Sequence, residues 1–317
     1  MHDTPYATRV ALKRRPTTTK NITHMKSRSV LMAIAIAYTI FNPTRLLAQE
    51  LEDNPVFKQN AEHMFEHTDR NKIPTGILLD YGMDLIDFTL YDGALIADSN
   101  YVDIPVFESM LRSIRSSTMR GTFISSVSKT MSSFSRHQIA NNLNVGISVF
   151  KYNYIKANAL DDNLIEYEAE QVRDVYLNGV WQNPYADAYI IGFTPEAHQC
   201  YTGNVCYTFP KTYIFSNVDI INIEFDAGDG DGYRQIGIDS KIDISYTSSG
   251  KKELKLRVKL NSREILEAHS YMFPHNFLQL QIQKRYSLIT NMIEVQHMAA
   301  KRSKPGFPSN MLQDTHQ

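Results

Sequence analysis

Cysteine is nearly absent: 317 residues contain only Cys200 and Cys206. With His198 nearby they offer two thiolates and one imidazole, and no second Cys/His cluster completes the four ligands of a structural zinc site. No Gly-x-Ser-x-Gly segment occurs, so the serine elbow of an α/β-hydrolase is not encoded here. His-Glu-x-x-His is missing as well. His63 and His67 stand four apart but read HMFEH, which suits the exposed polar face of a helix better than a metal pair. The uncharged, mostly apolar run Val30–Phe41 has 12 residues, too few to cross ~30 Å of hydrocarbon as a stable helix. Basic residues are scarce after position 48: 25 Lys/Arg face 33 Asp/Glu, a net charge of −8. Phosphate backbones repel such a chain, which argues against nucleic-acid binding.

The leader is the opposite. Residues 1–48 hold eight Lys/Arg and a single acid, Asp3. From Met25, a short basic region (Lys26, Arg28) precedes the apolar run, then Asn42-Pro43-Thr44 and Leu46-Leu47-Ala48. This is the build of a secretory signal peptide over 25–48, with cleavage expected near Ala48. Arg45 is unusual so close to a cut. Residues 1–24 have no periodicity and read as a non-native upstream extension. The leader lacks cysteine, so no lipid is attached there. Export to an oxidising compartment makes Cys200 and Cys206 a disulfide candidate, closed by a turn at Thr202-Gly203-Asn204. The alternatives are two free thiols or a metal site with His198.

Residues 49–140 read as a mixed, mostly helical region. Pro55 opens a helix with Phe57, Ala61, Met64 and Phe65 on one face. Asp80, Asp84 and Asp87 recur at four and three residues, so one helical face would carry all three, opposite Leu79, Met83, Ile86 and Leu90. Such a row suits calcium or acid–base chemistry, and equally the wet side of an amphipathic element. A second helix opens at Pro105 with Val106, Met110, Leu111 and Ile114 as its stripe. The Ser/Thr-rich Thr122–His137 reads as a weak helix or a connector.

Residues 141–270 change character. Val145–Tyr154 and Tyr185–Phe193 are strand-like, Asn178-Gly179 is a turn, and Pro210 suggests an edge or bulge. The clearest pattern is Ser216–Leu260. Asp219–Phe225 is apolar, Asp226–Gly232 (DAGDGDG) is a tight loop, and Lys241–Thr247 and Glu253–Leu260 alternate with period two, suggesting adjoining strands of a hairpin turned at Ser248–Lys251. Beyond 270, Asn276–Met298 has helical spacing, followed by a patternless tail to Gln317.

The segments Phe225–Gly230, Tyr246–Gly250 and Leu254–Val258 resemble the PKD-like (polycystic kidney disease) immunoglobulin-like repeat, over 216–270. The family has Trp-x-Phe-Gly-Asp-Gly and His-x-Tyr; here Ile223-Glu224-Phe225, an inserted Asp226-Ala227 and Ser245 stand instead. With Ile73–Gly82, the chain also looks like the N-terminal part of large secreted proteins of Bacteroidetes bacteria. The resemblance implies a mainly β fold, an antiparallel β-sandwich after a smaller helical region (α+β overall). It also implies a non-catalytic secreted or cell-surface module contacting extracellular protein or glycan. The alternative is an accessory region of a secreted hydrolase whose catalytic domain lies outside this chain. No cofactor is expected except calcium, for which Asp226, Asp229 and Asp231 are the candidates; their D-x-x-D-x-D-G spacing puts Gly237 where an EF-hand has glutamate. An enzyme of its own would have to draw on Asp80, Asp84 or Asp87 with His137 or His198.

Overall fold

The computed structural model describes residues 55–134, 141–200 and 203–274. The signal peptide, the upstream extension, His137 and the helix expected after residue 275 lie outside the described residues. The fold is α+β, with several β-sheets and a few helices.

Helix α1 (Pro55–Met64) is short, and its apolar face buries Ala61, with Phe65 following just past its end. No α-helix forms over 79–91. Leu79–Tyr81 and Phe88–Tyr91 are separate 3-10 turns, because Gly82 is extended (φ −105°, ψ 176°) and Asp87 caps the second turn by accepting the Thr89 amide. The expected row of aspartates on one helix therefore does not form. Helix α2 (Ile104–Ser116) starts as expected: the Asp103 side chain accepts from the Val106 amide, Pro105 occupies the first turn, and Phe107, Met110, Leu111 and Ile114 are buried. The Ser/Thr-rich segment is a helix, α3 (Val127–Phe134), with Val127, Met131 and Phe134 buried at i, i+4 and i+7.

The strands are β1 (Asn142–Ile155), the small pairs β2 (Ile165–Glu168) with β3 (Gln171–Asp174) and β4 (Tyr176–Leu177) with β5 (Val180–Trp181), then β6 (Tyr185–Pro195), β7 (Gln199–Cys200), β8 (Asn204–Thr208), β9 (Ile214–Ser216), β10 (Ile220–Asp226), β11 (Arg234–Ile236), β12 (Lys241–Ser245), β13 (Lys252–Leu260) and β14 (Ile265–Pro274). One five-stranded sheet runs β12-β8-β1-β6, with β9 also on β1; the other runs β11-β10-β13-β14-β7. Pairing is not uniformly antiparallel: β1·β8, β1·β9 and β14·β7 are parallel. The two sheets share one apolar core: Val145, Ile147, Val149 and Phe193 from the first meet Phe225, Leu254, Leu256 and Val258 from the second.

β1 is buried on both faces. Its other side, with Phe150 and Tyr152, joins Ile190 and the α2 and α3 side chains in a second core. Gly146 and Gly192 give α2 its seat: a Cβ at Gly146 would lie 3.0 Å from the Phe107 ring, and one at Gly192 would overlap Met110. A third, smaller core joins α1 to the β2–β3 pair through Phe65, Tyr81, Ile165 and Val172.

The hairpin expected over 241–260 is not formed. β12 pairs with β8 in the first sheet, while β13 pairs with β10 and β14 in the second. Period-two alternation fixes which side chains point inward, and both strands do point Ile244, Leu254, Leu256 and Val258 into the shared core; it carries no information about the neighbour. A buried polar chain ties this crossover together. The Tyr246 hydroxyl donates to the Ala227 carbonyl (2.8 Å) and lies 2.9 Å from the Tyr207 hydroxyl, which then donates to it. Burial pushes both phenols up from their ordinary range. Tyr246→Phe should cost about 2–3 kcal/mol in urea unfolding, because it orphans one buried donor and one acceptor. A cost near zero would mean that water replaces the lost hydroxyl.

Candidate functional site

The Asp226–Gly232 loop is closed by its own groups. Asp226 accepts the Gly228 amide (2.8 Å), and Arg234 donates to both oxygens of Asp229 (3.1 and 2.6 Å) and to Asp231 (2.6 Å). A guanidinium thus bridges two of the three carboxylates. Among the described residues no group of three or more His, Cys, Asp or Glu is placed to hold a metal ion. Burial pushes the Asp229 carboxyl up, but Arg234 and the backbone bonds outweigh it and hold the group below the usual range. A carboxylate with a depressed folded pKa stabilises the fold above its unfolded pKa and ceases to as pH falls through the folded value. Arg234→Gln should therefore cost about 1–2 kcal/mol at neutral pH, and the deficit should close as the pH falls below the ordinary carboxylate range. A deficit that does not vary between neutral and acid pH would assign the effect to packing.

The expected disulfide is absent: Cys200 and Cys206 are not bonded to each other. Cys200 is buried in the core on β7, which pairs with β14 of the second sheet. Cys206 is on β8 of the first sheet, between the buried Val205 and Tyr207, so alternation turns it to the opposite side, against Asp243. The short spacing that suggested a turn-closed bridge instead spans a change of sheet.

Of the carboxylates and histidines proposed for catalysis, Asp80, Asp87 and His198 hold structure together. Asp80 accepts the Ile155 amide (2.7 Å) and Asp87 caps its turn. The His198 Nδ1 pairs with the Tyr271 carbonyl (2.8 Å), and its Nε2 lies 3.1 Å from the fully buried Thr194 hydroxyl. Burial lowers its pKa, which suits a neutral ring. His67 lies beyond the end of α1, so it does not share a helical face with His63.

The outer side of the second sheet is an ion ladder. Arg257 on β13 pairs with Glu224 on β10 (3.4 Å) and with Glu267 on β14 (2.7 Å), under the Tyr233 ring (4.1 Å). These charges satisfy one another across the strands.

A different place offers unsatisfied surface. Of eleven large apolar side chains left exposed in the described residues, five fall between positions 160 and 180: Leu160, Tyr167, Tyr176, Leu177 and Val180. Tyr176, Leu177 and Val180, which are 53%, 53% and 64% exposed, share the β4–β5 hairpin with Trp181. Its turn is Asn178-Gly179, both at positive φ (51° and 78°), the geometry of a tight two-residue loop. Tyr176 faces Trp181 and Leu177 faces Val180 across the strands. The indole N–H donates to Asp174 (2.9 Å), fixing the ring. The Lys72 ammonium sits 4.2 Å from the Tyr176 ring centre and 5.1 Å from that of Trp181, and bonds the Tyr176 hydroxyl. Tyrosine and tryptophan are residue types enriched at contact hot spots, and exposed apolar groups clustered beside them mark a contact surface. The sequence signalled the turn through Asn-Gly but not the exposure of the residues beside it.

No protein-family model and no curated protein matches the chain. None of the described helices is long and apolar enough to cross a membrane.

Proposed function

We propose that this chain is a non-catalytic module of the cell exterior, exported by its leader and contacting extracellular protein or glycan through the β4–β5 hairpin. The observation that carries it is the concentration of exposed Tyr176, Leu177 and Val180 on one rigid turn beside the pinned Trp181. The PKD-like reading of 216–270 belongs to the same proposal. Two facing sheets with one core support it, as does the sheet change between β12 and β13, while the parallel pairings depart from a purely antiparallel sandwich.

Two measurements test the proposal. N-terminal sequencing of the exported protein should begin near Gln49, after Ala48; recovery of only the uncut chain in the cytosol would refute export. The immobilised full chain should retain at least one member of a panel of polysaccharides and extracellular proteins, and Leu177→Ser with Val180→Ser should abolish the retention. Retention that survives this double substitution would move the contact elsewhere.

A further inference from the structure

We infer that the partner of the β4–β5 hairpin is a protein surface in which lysine or arginine side chains surround an apolar centre. The inference rests on the contact-module reading and narrows it to one of its two ligand classes. Its first support is charge. Residues 156–182 hold six acids (Asp161, Asp162, Glu166, Glu168, Glu170, Asp174) against Lys156 and Arg173, a net of −4. The three glutamates stand on or beside the β2–β3 turn, and Glu166, Glu168 and Glu170 are exposed. At physiological ionic strength such a field reaches about 8 Å, and Asp174, which accepts the Trp181 indole N–H, puts part of it against the hairpin. It would attract a basic face and repel an acidic polysaccharide or an anionic membrane.

The second support is independent of net charge. The hairpin already holds a cation: Lys72 lies over both the Tyr176 and Trp181 rings. Faces of electron-rich rings attract ammonium and guanidinium groups, and a basic side chain arriving from outside would replace Lys72 on the Tyr176 and Trp181 rings. The apolar part of the partner would cover Leu177 and Val180, which face each other across the turn and are more than half exposed. Anchoring apolar contacts at the centre with charged groups around them is the usual division of labour in a protein interface.

The test uses the full chain and its single tryptophan, Trp181, as the reporter. Three synthetic peptides serve as probes: alternating lysine and leucine, alternating glutamate and leucine, and alternating lysine and glycine. The lysine–leucine peptide should shift Trp181 emission and bind at least about tenfold tighter than either of the others. Raising the salt should weaken it severalfold. Leu177→Ser with Val180→Ser should weaken it by about tenfold or more, with the melting temperature unchanged because both side chains are exposed. Glu166→Gln with Glu170→Gln should weaken it less and flatten the salt dependence. Equal binding of the glutamate–leucine peptide, or indifference to both double substitutions, would overturn the inference. So would anionic phosphatidylglycerol vesicles shifting Trp181 more than any peptide. Retention of a neutral polysaccharide that depends on Leu177 and Val180 would overturn the basic-protein partner while leaving the contact-module reading in place.

Discussion

Gly228→Ala should destabilise the chain by about 3–5 kcal/mol, at the severe end for a single added methyl. Two costs combine. Gly228 has φ +67°, a left-handed conformation that costs an L-residue about 1–2 kcal/mol. A Cβ there would also overlap the carbonyl oxygen of Glu253, a backbone atom at the start of β13 that cannot swing aside. Relief would require moving the whole loop that carries the buried Ala227, whose carbonyl receives the Tyr246 hydroxyl. Gly232→Ala separates the two costs: φ is +74° but nothing lies within 4 Å, so it should lose only about 1–2 kcal/mol. Urea unfolding of both variants decides the matter, and equal midpoints would remove the steric part.

Phe225→Ala should cost about 3–5 kcal/mol. The ring is fully buried between the sheets, edge-on to Tyr207 (5.2 Å), Phe209 (5.3 Å) and Phe193 (6.2 Å). Its neighbours come from β6, β8 and the segment after β8, while Phe225 itself lies on β10, so its loss opens a void that both sheets would have to close. Phe225→Leu keeps most of the volume and should lose about half as much or less. Matched unfolding curves for the two variants would mean that the site collapses around either side chain.

Much of the fold was written locally. Asp103 and Pro105 announce α2, and the alternation of Leu254, Leu256, Val258 and Leu260 announces β13 and its inward face. What the residues did not state was partnership. β12 and β13 each alternate correctly, yet they belong to different sheets, and the same sheet change separates Cys200 from Cys206. Asp80, Asp84 and Asp87 fit a helical face by spacing, but Gly82 interrupts the helix that would align them. The hairpin at Asn178-Gly179 was legible as a turn. Its exposed Tyr176, Leu177 and Val180 were not, because exposure depends on what the rest of the chain leaves uncovered.

The crossover from β12 to β13 bears on how the chain gets started. Loop closure makes nearby pairings cheap and distant ones dear. The most strongly patterned stretch of this sequence has no pairing within itself between 241 and 260: β12 waits for β8, and β13 for β10 and β14. A peptide cut from 241–260 would carry two strands' worth of pattern and no native partner for either. Nucleation falls instead to strands adjacent in the chain that do pair, such as β10 with β11 and β13 with β14 across Asn261–Arg263.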